Sequence, residues 1–149
     1  MTPSRVKEIF RLSSEANSAI FMFGKDSDAA QYLLSESATA SFVFFDSAGM
    51  QVKEDNQSFE CSFYLNFLKH DRPDSAPSNE TEQSAYDSRE SIMFDMYDLW
   101  KTIKSYIITN YSNEVNIFAK DDGAFIQHGW DVCSGYSLRV TVMGGAECL

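Results

Sequence analysis

The chain has 149 residues, is 44% apolar and 14% aromatic with twelve Phe, and carries a formal net charge of −10. That length suits one domain, residues 1–149, with enough buried surface for a core of its own. The charge is spread along the chain, −4 over residues 1–68 and −3 over each of 69–91 and 92–149. Sequence-specific nucleic-acid binding is disfavoured, because phosphate contacts need clustered Lys and Arg.

Thr2-Pro3 reads as an N-cap followed by proline in the first helical turn. Val6, Ile9, Phe10 and Ser13 then keep helical spacing, which predicts an amphipathic helix over 3–17. Gly24-Lys25-Asp26 is turn chemistry, and a short helix over 27–35 would place Ala30, Leu33 and Leu34 on one side. Residues 40–45 are β-prone. Asp46-Ser47-Ala48-Gly49 then predicts a turn, with 50–54 folding back on that strand. Phe59, Cys61, Phe63, Leu65 and Phe67 alternate with polar or mixed residues, so 58–68 is a long antiparallel strand with one apolar face.

Composition shifts over 69–91, where His70 to Glu80 holds almost nothing fit for a core; this predicts a long polar loop. Asp87 or Ser88 would cap the next element, Asp87 standing to Glu90 as in a capping box. Ile92, Met96, Leu99, Ile103 and Ile107 define an amphipathic helix over 89–109, with Trp100 and Tyr106 at its margins. Val115–Lys120 and Ala124–His128 flank Asp121-Asp122-Gly123, a hairpin signal. Tyr136, Leu138, Val140 and Val142 alternate as a closing strand that ends at Gly144-Gly145. The fold class expected is α+β: a largely antiparallel sheet of about five to six strands, covered on one face by the N-terminal and central helices.

No phosphate-binding glycine loop, GxSxG elbow or HExxH motif is present. Three cysteines without CxxC spacing make neither a disulfide framework nor a zinc site. No apolar signal region and no run of 18 apolar residues occurs, so neither classical secretion nor membrane spanning is expected. His70 beside Asp71, and His128, are read as surface histidines, because a metal site needs three or four convergent ligands. Asp121 and Asp122 are read as turn residues, since Asp tolerates the conformation that Gly123 completes. Trp130 is a core anchor or an interface hot spot. In 42–45 both the Phe42/Phe44 and the Val43/Phe45 faces are apolar, so one would lie under a helix or against another subunit.

Gly129-Trp130-Asp131-Val132 leads into the alternating run from Tyr136 to Val142, and the helix through Ser91–Trp100 precedes it. This arrangement resembles tail-completion, tail-terminator and neck-ring proteins of tailed bacteriophages, especially those of Bacteroidetes phages and prophages. The resemblance covers about half of the chain as a pattern and about a dozen residues as sequence. The N-terminal helix and Cys133-Ser134-Gly135 lie outside it, and no individual residue role carries over.

The resemblance implies a virion protein without enzymatic activity, metal or cofactor, assembled in the host cytoplasm. Copies would form a cyclic homo-oligomer through heterologous contacts, joined to portal, neck or tail proteins. DNA would pass along the axial channel without sequence-specific binding, eased by acidic surface. The 69–91 loop would reach a neighbour, with Asp74, Glu80, Glu82 and Tyr86, and also Phe45 and Trp130, expected at the contacts. Two other readings fit the same residues: a small-ligand enzyme or carrier with a Phe-lined cone-shaped fold, and a regulatory module that binds one protein.

Overall fold

In a computed structural model, which describes residues 1–25, 40–70, 82–119, 123–128 and 133–145, the chain opens with helix α1, Pro3–Ala16. Thr2 caps it, its Oγ1 accepting from the Arg5 amide at 3.2 Å. At the other end the buried hydroxyls of Ser13 and Ser14 donate back to the Ile9 and Phe10 carbonyls, both at 2.7 Å. Ser18, at φ +60°, reverses the chain into strand β1, Ile20–Gly24. Strands β2, Ser41–Glu54, and β3, Ser58–His70, follow, then helix α2, Glu82–Tyr111. Three strands close the chain: β4, Asn116–Ala119, β5, Ala124–His128, and β6, Cys133–Gly145.

These six strands form one sheet in the order β1-β2-β3-β6-β4, with β5 also paired to β6. Only β1 and β2 run parallel; the other pairings are antiparallel. The α+β class and the largely antiparallel sheet agree with the residue pattern. Several finer expectations do not.

Strand β1 fills residues 20–23, for which the residue pattern gave no element, and ends at Gly24, where the turn was expected. Asp46–Gly49 is a bulge inside one 14-residue strand, where five steps on β2, Asp46 to Gln51, span two on β3, Tyr64 to Ser62. The turn chemistry is present, but it acts locally. Asp46 Oδ1 accepts from the Ala48 amide at 2.8 Å, and Gly49 takes φ +73°, open to glycine at little cost. Residues 51–54 therefore pair with β3 and not with 42–46.

The expected hairpin around Asp121-Asp122-Gly123 is not formed either. Strands β4 and β5 both run antiparallel to β6, opposite 140–143 and 133–137 respectively, so they share one margin of the sheet end to end. Asp121 and Asp122 lie outside the described residues, as does the short helix expected over 27–35. Both ends of the loop expected over 69–91 belong to regular elements, residues 69–70 to β3 and 82–91 to α2, and residues 71–81 lie outside the described residues. Asp87 and Ser88 are inside α2 and do not cap it. Good helix formers such as Glu82, Gln83, Ala85 and Glu90 carry the helix outward past its apolar stripe.

Both helices lie on one face of the sheet. Val6, Ile9 and Phe10 from α1, and Met96, Trp100, Ile103 and Ile107 from α2, join one buried cluster. Val43, Phe45, the odd residues 59–67 and Leu138, Val140 and Val142 meet them from the sheet. Its centre is aromatic: Phe45 and Phe63 stack at 3.9 Å between centroids, and Phe10 meets Phe63 edge-on at 5.2 Å. On the opposite face Phe42, Leu68 and Cys133 form a second buried cluster, packed by Ile20, Met22, Ala40 and Ile126. Phe44 is buried as well. Neither face of residues 42–45 is therefore left open for another subunit.

A candidate assembly surface

Helix α2 turns two stripes outward from its axis. Residues 92, 96, 99, 100, 103 and 107 face the core, while Phe94, Tyr97 and Lys101 follow each other by one turn on an exposed flank. Strand β5 lies beyond β6 at the sheet margin. Its Phe125 pairs with Tyr136 on the helix-bearing face, so the ring emerges beside that flank.

Four aromatic side chains meet there. Phe94 and Phe125 are 5.4 Å apart between centroids, Tyr97 and Tyr136 5.1 Å, and Phe125 and Tyr136 5.6 Å. Lys101 Nζ sits 5.2 Å from the Tyr97 ring centre, a cation–π contact. Phe94 is 49% exposed, Phe125 48% and Tyr97 38%. A Cβ at Gly123 would overlap the Tyr136 hydroxyl, so the glycine is what lets that phenol lie across the margin. Glu90, Asp95 and Asp98 supply an acidic rim on α2. An apolar patch with a charged rim is the usual signature of a contact surface.

Of the contact residues expected from the sequence, Phe45 does not belong to this patch. Phe45 is fully buried, stacked in the core, and has no surface to offer a partner; its face of β2 lies under the helices. Glu82 and Tyr86 stand in the first turns of α2. Asp74, Glu80 and Trp130 lie outside the described residues. The sequence carried part of the signal, since the 94/97/101 stripe runs beside the core stripe of α2; nothing in it ties that stripe to Phe125.

The far end of the molecule is polar. Arg5 Nε and Nη2 donate to Glu114 Oε2 and Oε1, both at 2.8 Å, and Nη1 donates to Glu8 at 2.9 Å. These bonds tie the first turn of α1 to the turn after α2. The Met1 amino group donates to the Gly145 carbonyl at 3.2 Å, and an open cleft of about 480 Å³ lies between these groups. Its hydrogen bonds to Arg5 hold the Glu114 carboxyl below the usual glutamate range, and the Arg5 guanidinium is raised in turn.

Because the Glu114 pKa is depressed on folding, its stabilisation is complete above the unfolded value of about 4.3 and is lost as pH falls through the folded value. The two side chains are 35% and 39% exposed, so solvent screening limits the pair to about 0.2–1 kcal/mol. Glu114→Gln should remove that much at pH 7 and flatten the acid limb of stability, measured by urea unfolding at pH 7 and pH 3. An unchanged acid limb would show the pair to be energetically silent.

Elsewhere the chemistry is sparse. Burial pushes the Cys61 thiol up to about 11, which leaves it a poor nucleophile at neutral pH. His70 is half-buried and not a surface residue; its ring lies edge-on to Phe42 at 6.2 Å, and its Nε2 has no hydrogen-bond partner. Strand register sets Cys133 across from both His70 and His128. Even so, no group of three His, Cys, Asp or Glu among the described residues is arranged to hold a metal ion. No helix among them is long and apolar enough to cross a membrane. Comparison with protein-family models and with curated proteins finds no match.

Proposed function

We propose that this protein is a structural subunit that works through its outer surfaces, binding copies of itself and neighbouring proteins in an assembly. The observation that carries this reading is the patch of exposed Phe94, Tyr97 and Phe125 seated on the partly buried Tyr136, with acidic residues nearby on α2. Large rings held in place by each other lose little freedom on docking, which makes them effective contact residues. The particular assembly proposed is a bacteriophage head–tail connector or tail-terminator ring, on the strength of the Gly129–Val132 step, the following strand and the preceding helix. In such a ring the diffuse negative charge would repel DNA phosphates and let the duplex slide. No enzymatic step, cofactor or membrane is part of this proposal.

The packing gives little support to a Phe-lined ligand chamber. Phe10, Phe45, Phe59, Phe63 and Phe67 are fully buried, and rings from α1, β2 and β3 fill the space between helices and sheet.

Size-exclusion chromatography with light scattering, from micromolar to millimolar protein, tests the reading. A discrete mass at a whole multiple of 16.9 kDa is expected, formed alone or on the proteins encoded by neighbouring genes. A strict monomer that also ignores those proteins would overturn it.

A further inference from the structure

We infer that successive copies join margin to margin, β1 of one against β5 of the next, so that one antiparallel sheet continues from subunit to subunit; this rests on the assembly reading above. Among the described residues β1 pairs with β2 alone and β5 with β6 alone, so no described strand fills the outer row of backbone donors and acceptors on either.

The two margins suit each other in four respects. The first is direction. Strand β2 opposes β3, β3 opposes β6, β6 opposes β5, and β1 runs with β2. Hence β5 runs with β3, and β1 runs against both. Two copies facing the same way would therefore bring β5 and β1 together antiparallel, the more stable pairing. The second is length, since each strand has five residues.

The third is the face on which the exposed rings stand. Phe23 pairs with Phe45 and Phe125 with Tyr136, both on the helix-bearing side. A continued sheet sets these two half-exposed rings on the same side of the joint. The fourth is charge: Lys7, 4.7 Å from the centre of the Phe23 ring, marks the β1 margin, while the exposed Asp95 and Asp98 outnumber Lys101 on the stretch of α2 that carries Phe94 and Tyr97. A joint between two different surfaces is heterologous, and heterologous joints give closed rings when the rotation permits.

The test places one cysteine on each margin, on the face away from the aromatic rings. Met22→Cys and Ala124→Cys are introduced together in the full chain with Cys148→Ser, and the assembly is treated with a short bis-maleimide. Denaturing electrophoresis should show a ladder of multiples. Mixing the two single variants should give dimer, and each single variant alone only background. Dimer from Ala124→Cys alone, at the yield of the mixture, would mean a two-fold joint and would overturn the inference. An assembly that persists by light scattering but gives no ladder overturns the margin joint only, whereas a strict monomer overturns the assembly reading with it. If a variant fails to fold, hydrogen exchange on the unaltered protein decides. Assembly should slow exchange at β1 and β5 amides at least about tenfold, and unchanged rates at both strands would overturn the joint.

Discussion

Phe63→Ala should lower the free energy of unfolding by about 3–5 kcal/mol, the largest loss expected from any single core truncation in this chain. Phe63 is fully buried on the central strand β3. Its ring is held from one side by Phe45, stacked at 3.9 Å, and from α1 by Phe10 at 5.2 Å. Removing it takes away its own buried area and two aromatic contacts, and it leaves a cavity between elements that cannot close without moving a helix. A domain of this size has roughly 5–15 kcal/mol in hand, so the variant should sit near the edge of folding at 37 °C. Urea unfolding followed by tryptophan fluorescence gives the value directly, because Trp100 packs 5.7 Å from Phe67 on the same strand. A loss under about 1 kcal/mol would mean that the three-ring stack is not the centre of the core.

Phe125→Asp should weaken assembly at least about 30-fold, the equivalent of a 2 kcal/mol contact residue, while leaving the melting temperature within a few degrees. The two effects separate because Phe125 is 48% exposed in the single chain. Its ring rests on Phe94 and Tyr136 but supports nothing deeper. An aspartate there keeps the strand, removes the ring, and puts in its place a charge that is costly to bury in a docked apolar contact. Mass against concentration by light scattering reads the first effect, and thermal unfolding reads the second. Assembly at wild-type concentrations would exclude the patch from the contact.

Strands β3 and β6 and the core stripes of both helices were legible because apolar residues on the face under the helices alternate with mostly polar ones, which writes a period of two or 3.6 into the residues, even though Ser62, Asn66 and Thr141 on the second face are buried. Strand β1 carries no such period. Ile20, Phe21, Met22 and Phe23 are apolar on both sides because the sheet is packed on both faces at that margin. A five-residue run of that kind looks the same whether it is strand or linker. The bulge at Asp46–Gly49 and the break between β4 and β5 were misjudged for a common reason. Asp and Gly report a local change of direction, and only tertiary pairing decides whether the chain turns back or carries on along its partner, β3 for the bulge and β6 for the break. The start of α2 was placed late because Glu82–Ser91 has no apolar stripe, and good helix formers without periodicity give no sign of where a helix begins. The aromatic patch was hidden for the opposite reason. Phe94, Tyr97, Phe125 and Tyr136 come from three elements, and nothing in their spacing says that the fold brings them to one margin.

The bulge in β2 limits how far the sheet can grow. Strand β1 covers only residues 42–46 of β2, and beyond the irregularity Gln51, Val52, Lys53 and Glu54 run on with solvent at their side. A flat apolar segment there would template stacking of chains without end, the first step towards fibrous deposits. The kink misaligns its donors and acceptors, and Lys53 and Glu54 act as gatekeepers against uncontrolled addition. If copies join through the short β1 ribbon as inferred above, addition stays confined to it, because the longer ribbon beside it is made unattractive.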